Sequence, residues 1–195
     1  MAPPDSPPPL LEPVAGRLLV SNPHMMDPNF MHTVVFLCDH DALGTYGVVL
    51  NRHAGKGVND LGSSVQLLTD RDDPVWIGGP VAADTLQVIH RLVEPIEGSQ
   101  PIVPGLYLGG EPDALDAALC RVSDPKNHIR FVLGYSGWSA GQLQAEMAEG
   151  AWVVCNATPD FVFDHDPDTL WRRVLRARGG PFAGLADLPP DPSWN

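Results

Sequence analysis

Residues 129–156 read IRFVLGYSGWSAGQLQAEMAEGAWVVCN, and the fold turns on how this stretch divides. The apolar runs at its two ends, IRFVLGY and AWVVCN, each have the length and composition of a strand. Between them the signals are helical. Ser139 followed by Gln142 has the spacing of a capping box, and Trp138 and Leu143 have that of a hydrophobic staple. Gly150 can take the left-handed conformation that stops a helix. The stretch therefore predicts a strand, a helix over 139–149 and a second strand.

The glycines and serines entering that helix suggest two catalytic motifs, and the spacing rejects both. A nucleophile elbow needs G-x-S-x-G, but Gly134-Tyr135-Ser136-Gly137-Trp138 carries its second glycine one place early. A phosphate-cradling loop needs a lysine after its last glycine, and the only lysines are Lys56 and Lys126. Capping leaves Gly137 and Gly141 unexplained, and a glycine in the first turn costs ~1 kcal/mol relative to alanine. Either another backbone packs closely there, or a small anionic or polar ligand approaches the free N–H groups of the helix end.

Outward from this stretch, short apolar runs bounded by turn residues recur at RLLVS (17–21), TVVFLC (33–38), YGVVLN (46–51), PVWI (74–77), TLQVIH (85–90) and LYL (106–108). Each predicts a strand, and the consecutive apolar residues in several predict cover on both faces. One further helix is expected over 111–122, started by Pro112 and packing through Leu115, Leu119 and Val122. Another starts near 167, capped by Asp166. It sets Leu170, Trp171, Val174 and Leu175 on one side and Arg172, Arg173 and Arg176 on the other. That basic stripe is either a solvated face or a contact for an acidic partner or nucleic acid. Strands that pair early and alternate with helices late predict an α+β fold, not a doubly wound one.

The chain has 195 residues, enough for one domain, assigned here to 14–180. Proline-rich ends frame it: 1–13 as a disordered tail, and 181–195 as an irregular segment whose Phe182, Leu185 and Trp194 could lie along the body. Hydrophobic residues make up 44% and charged ones 18%, the profile of a folding chain. Cys38, Cys120 and Cys155 are an odd number, two of them within apolar runs, and are read as reduced. No basic leader and no apolar run near ~20 residues is present, so neither a secretory signal nor a membrane span is expected, and the cytoplasm is the expected location. A formal net charge of -12 disfavours direct nucleic-acid binding. The seven histidines lack helical zinc spacing and no C-x-x-C occurs, so no metal or other cofactor is expected.

The succession GRLLVSNPHMMDPNF, VVFLCDH with GVVLNR, VWIGGPV with LQVIH, GLYLGG, and RFVLGYSGWSAGQLQAEMAEGAWVV with a late LW resembles the AlgH/YqgE family of bacterial proteins. The likeness runs from about Gly16 to Gly179. It departs at Asp39, where glutamate is usual before histidine, and at His53, where proline is usual after Asn51-Arg52. The resemblance implies a single α+β domain with a mixed, mainly antiparallel, partly closed, barrel-like sheet flanked by helices. The family's name, tied to alginate-related gene expression, implies an indirect role in transcriptional regulation.

The matched motifs supply the candidate site: Asp39 and His40 at one strand end, Asn51 and Arg52 at the next, the Gly78-Gly79-Pro80 turn, and Gly134, Tyr135, Ser136, Gly137, Trp138 and Gln142 at the helix entrance. If hairpin and helix entrance meet, polar side chains and N–H groups converge on one concavity. That arrangement suits a non-catalytic module for a small anionic ligand or a protein partner. The alternative is a hydrolase or transferase acting on a small anionic substrate at the same glycine-rich helix entrance, for which Ser136 and Cys155 are the possible nucleophiles. A structural network of Asp39, Asn51 and Arg52 tying strand ends together remains the third reading.

Overall fold

The protein is described by a computed structural model over residues 9–65, 72–93 and 96–188. The strands are β1 (Arg17–Ser21), β2 (Val34–His40), β3 (Gly44–Val49), β4 (His53–Gly57), β5 (Pro74–Ile77), β6 (Val81–His90), β7 (Ser99–Val103), β8 (Leu106–Gly109), β9 (Ile129–Ser139) and β10 (Trp152–Asn156). The helices are α1 (Pro112–Leu119), α2 (Gln142–Ala148), α3 (Pro159–Val162), α4 (Pro167–Arg178) and α5 (Pro181–Leu185), with tighter turns at Val58–Val65 and Pro125–Asn127. One sheet of ten strands results, ordered β10-β1-β2-β3-β9-β6-β8-β7, with β5 on β9 and β4 on β5. All these pairings are antiparallel except β5 with β9, so the sheet is mixed and mainly antiparallel, as the α+β expectation required.

Alternation along the strands builds three cores from one sheet. Leu18, Val20, Val34, Phe36, Val48, Val153 and Cys155 point inward and pack with Ile89, Leu106 and Val132 against Leu170, Trp171, Val174 and Leu175 of α4. Strands from both ends of the order thus share one interior with α4, which makes the sheet a curled half-barrel. The outward residues Leu19, Val35, Leu37, Val49, Trp152 and Val154 pack with Leu143 of α2. On the other half, Val75, Val88 and Phe131 pack with Leu115 and Leu119 of α1. The consecutive apolar residues of the sequence are explained by this cover on both faces.

The long strand β9 corrects the expected helix entrance. It continues through Gly134 to Ser139 because β3 offers it an edge, with Gly47 opposite Ser136, Tyr46 opposite Gly137, Thr45 opposite Trp138 and Gly44 opposite Ser139. Residues 136–139 therefore pair with β3 and do not enter a helix. The helix α2 starts three residues later than the capping signal predicted, after Gly141 at φ +76°. Half of the capping box survives: the Ser139 N–H donates to Gln142 Oε1 at 3.0 Å. The stop at Gly150 is as expected. The Gly150 N–H donates to the Met147 carbonyl at 3.0 Å and the Ala151 N–H to the Glu146 carbonyl at 2.9 Å, a Schellman pair.

Close backbone approach explains the Gly78-Gly79 turn. A Cβ on Gly79 would stand 2.2 Å from the Tyr135 carbonyl oxygen, and one on Gly134 (φ +69°) would stand 2.7 Å from the Gly79 oxygen. No side chain fits between these strands. β4 and β7 carry little apolar signal and were not expected; Pro101 is tolerated because β7 ends the sheet. α1 stops at Leu119, short of the expected 122, and residues 181–185 form α5 where irregular chain was expected. Trp194 and residues 1–8 lie outside the described residues. Cys38 and Cys155 are buried and Cys120 exposed, all three free.

Among the buried polar side chains that the sequence did not flag are Arg130 and His90. Arg130 is buried with its guanidinium 4.2 Å from the centre of the Trp76 ring, and it donates to the Val162 carbonyl at 2.8 Å and to the Asp164 carbonyl. Burial pushes its pKa down to about 9 against the opposing pull of Asp164. His90 is 1% exposed, with Nε2 at 2.8 Å from Ser99 Oγ and Nδ1 accepting from the Leu92 N–H at 3.4 Å. Burial lowers its pKa from 6.5 to about 4.

The fold therefore favours the neutral His90 ring, whereas the unfolded chain protonates it below 6.5. Stability should fall between pH 6.5 and pH 4 by on the order of 3 kcal/mol from this group. Melting curves across that range should show a shallower acid loss for His90→Gln than for the parent; parallel curves would contradict this. Gly79→Ala, whose methyl meets backbone, should lower stability by at least ~2 kcal/mol in urea denaturation.

Candidate functional site

The residues expected to form one concavity are distributed over four places. Gly78, Gly79, Gly134 and Ser136 are buried in the strand junction, and Pro80 is exposed just beyond it. Ser136 is 0% exposed and donates its hydroxyl to the Gly78 carbonyl at 3.0 Å. It is a structural tie. Cys155 lies in the core, where burial pushes its thiol up to about 12. Neither group is poised for nucleophilic attack.

Trp138 and Gln142 serve a second structural network, on the outer face. Glu146 Oε2 accepts from Trp138 Nε1 at 2.9 Å and from Trp152 Nε1 at 2.7 Å, while Gln142 Nε2 donates to Glu146 Oε1 at 2.9 Å. One carboxylate thereby joins β9, α2 and β10. Phe30 stacks on Trp138 with ring centres 5.8 Å apart and meets Trp152 edge-on at 5.4 Å. Gly137 is exposed beside the Tyr135 ring, and no atom lies within 4 Å of a Cβ built on Gly141. Gly141 is required by its positive φ and not by close packing. The helix mouth lies at Gly141 and Gln142 and not at 136–139, which pair with β3, and α2 has only seven residues.

Asp39 and Tyr135 border a cavity of about 610 Å³ in the mouth of the curl, between β2, β3 and β9 on one side and β6, β7 and β8 on the other. His40 stands at the hairpin end with Nδ1 at 2.7 Å from Thr45 Oγ1.

Asn51 and Arg52 line a separate cleft of about 280 Å³ with Met31, His32, Pro167, Asp168, Trp171 and Arg172. Asn51 is fixed: its Oδ1 accepts from the Val34 N–H at 2.8 Å, and its Nδ2 donates to the His32 carbonyl at 2.8 Å. Half-buried Arg52 donates to the Pro28 carbonyl at 2.6 Å and to the Met31 carbonyl at 3.4 Å. Burial lowers its pKa against the pull of Asp27. The structural reading of Asn51 and Arg52 is thus partly realised, with both still facing the cleft.

α4 brings in what the sequence had placed elsewhere. Asp166 accepts from the Thr169 N–H at 3.4 Å and starts the helix, so Asp168, Trp171 and Arg172 share the face toward the cleft. The basic stripe divides: Arg173 pairs with Asp164 and Arg176 with Asp187 at 2.8 Å. No described residue hydrogen-bonds or ion-pairs with Arg172. His32 is held at φ +52°, rare for a non-glycine residue, with its ring edge-on to Trp171 at 4.8 Å. Its buried Nε2 has no hydrogen-bond partner. Burial and Arg172 both lower its pKa, so the ring is neutral at neutral pH. Nothing in the sequence marked His32, whose role comes from a backbone turn.

Among the described residues no three His, Cys, Asp or Glu side chains group as metal ligands, and no helix is long and apolar enough to cross a membrane. Fold and cleft together define a single-domain α+β half-barrel protein with a small basic cleft on its flank. The chain belongs to the AlgH-like family, whose model matches residues 18–183. A UPF0301 protein of Chlorobium luteolum is 38% identical over 181 residues, covering 93% of this chain and 94% of that one. A UPF0301 protein of Chlamydia caviae is 34% identical over 174 residues, covering 89% and 91%. The solution structure of the AlgH protein from Pseudomonas aeruginosa matches with a TM-score of 0.68 at 29% identity, covering 90% and 94%. A crystal structure of a Corynebacterium diphtheriae protein has the same fold, with a TM-score of 0.76 at 22% identity and coverage of 92% and 95%.

The Glu146 network carries a direct expectation. Glu146→Ala strands two indole N–H groups and should lower stability by about 2 kcal/mol, whereas Ser139→Ala should change it by less than ~0.5 kcal/mol. Urea midpoints of the two variants test this; equal losses would return Ser139 to the role of helix cap.

Proposed function

We propose that this chain is a non-catalytic binding module that takes a small anionic molecule in the Arg52–Arg172 cleft. The observation that carries the reading is that two arginines line one cleft, one of them unpaired among the described residues, in a chain of net charge -12. Paired guanidinium groups suit carboxylate or phosphate oxygens, which accept two parallel N–H bonds. Asp168 at the same cleft offsets one of the two charges and so favours a ligand that also offers a hydrogen-bond donor. Trp171 supplies a flat apolar wall, and the unpaired His32 nitrogen supplies one more polar contact. About 280 Å³ suits a small metabolite better than a polymer.

In this reading the protein acts in the cytoplasm, and any effect on transcription passes through ligand occupancy and a protein partner. Direct DNA contact is disfavoured because two of the three stripe arginines are already paired within the chain.

A thermal-shift screen against inorganic phosphate, nucleotides and sugar phosphates tests the proposal, since a ligand bound only by the folded form at 100 times its Kd adds ~2.7 kcal/mol. The expected result is stabilisation by at least one anion in the parent and none in Arg172→Gln, whose own Tm stays close to the parent's. Arg52→Ala should lose both the ligand response and some intrinsic stability, because its bonds to the 28 and 31 carbonyls go with it. An anion response that survives in Arg172→Gln, or none at all in the parent, would overturn the reading.

A further inference from the structure

The larger cavity, in the mouth of the curl, has the opposite chemistry. Asp39, Tyr46, Gln87, Gln100 and Tyr135 present hydrogen-bonding side chains to it, and no lysine, arginine or histidine lines it. None of these five side chains hydrogen-bonds to a described residue. Asp39 and Gln100 are exposed and Tyr46, Gln87 and Tyr135 partly buried, so all five can turn to a ligand without breaking a bond to a described residue. Ile102 and Leu108 provide an apolar floor.

Two local features aim these groups. Strict alternation would send Cys38 and Asp39 to opposite faces of β2, but the register shifts between Leu37 and Asp39, and both residues border the cavity. A bulge at a sheet rim commonly re-aims a side chain in this way. Tyr46 stands opposite Gly137, which has no side chain, so its ring leans onto Tyr135 with centres 4.8 Å apart and planes tilted by 33°. Burial, with Cys38 and Tyr135 beside it, pushes the Tyr46 phenol above its usual range and keeps it neutral.

From this juxtaposition we infer a second binding site, for a small organic cation: an amine or guanidinium compound whose charge meets the Asp39 carboxylate and the tyrosine rings while its body bonds the Gln87 and Gln100 amides. A carboxylate together with electron-rich ring faces attracts a positive charge, and both features repel an anion. The amides offer donors and acceptors together, so they accommodate a polar body of either kind. At about 610 Å³ the cavity lies within the usual range for a small-ligand site. The inference is independent of the anion cleft, which uses other residues and the other sign of charge.

The test titrates agmatine, choline and putrescine into the 15N-labelled full-length protein at ~150 mM salt, where diffuse attraction to the acidic surface is screened. The side-chain amide signals of Gln87 and Gln100 report the location. The expected result is saturable shifts of those signals with at least one cation, at least ten-fold weaker binding in Asp39→Asn and in Tyr46→Ala, and unchanged binding in Arg172→Gln. The Asp39 side chain is exposed and hydrogen-bonds to no described residue, so Asp39→Asn should fold as the parent does. Tyr46 is partly buried, so Tyr135→Phe, which keeps the ring, provides a milder check and should weaken binding less than Asp39→Asn. No shifts with any of the three cations, or shifts that survive Asp39→Asn undiminished, would overturn the site.

Discussion

The eleven-residue strand β9 holds the two halves of the sheet together, and it does so by hydrogen-bonding on both edges. Its residues 129–135 pair with β6, 131–133 also pair with β5, and 136–139 pair with β3. A break at Gly134 would separate the β10-β1-β2-β3 half from the β6-β8-β7 half and leave two open edges. Unpaired amides buried at such a break would each cost on the order of 1–3 kcal/mol. Gly134, Gly78 and Gly79 are therefore needed at the crossing point, where three backbones approach closer than any Cβ allows.

Continuity of β9 also sets what lies on either side of the sheet. Because it carries Val132 inward, Phe131 outward toward α1 and Trp138 outward toward α2, one strand contributes to all three cores. Glu146 then anchors the outer face by accepting from both Trp138 and Trp152, so the motif that looked like a ligand entrance is spent on joining strand to helix to strand. Arg130 does comparable work inside, where its guanidinium lies over the Trp76 ring and donates to the Val162 carbonyl at the end of α3.

Two recesses lie away from that motif, on the flank and in the mouth of the curl. On one flank Arg52 and Arg172 create a positive patch; in the mouth Asp39 and two tyrosines create a negative one. These sites differ in charge because they draw on different layers. The first takes cations from the β3–β4 connection and α4, and the second takes polar residues from β2, β3, β6, β7 and β9 around the mouth of the curl. In a chain of net charge -12, a pair of arginines facing one cleft stands out more than it would in a neutral protein.

The amino-acid sequence by itself determined the strand runs at 17–21, 74–77 and 152–156, the cap at Asp166, the stop at Gly150 and the need for cover on both faces, because these depend on neighbours within a few residues. It also singled out Asn51 and Arg52, both of which border a cleft. Tertiary structure decided the rest. Whether Gly134 to Ser139 became a helix entrance or a strand depended on β3, some 90 residues earlier, offering an edge whose ladder bonds outweigh a local cap. Likewise, Arg172 and His32 reach Arg52 only because α4 packs inside the curl, and Glu146 reaches two indoles only because β9 and β10 flank α2. Local pattern fixes which residues prefer strand, helix or core; which polar groups meet is fixed by long-range pairing, and that pairing leaves no trace in the spacing of a single chain.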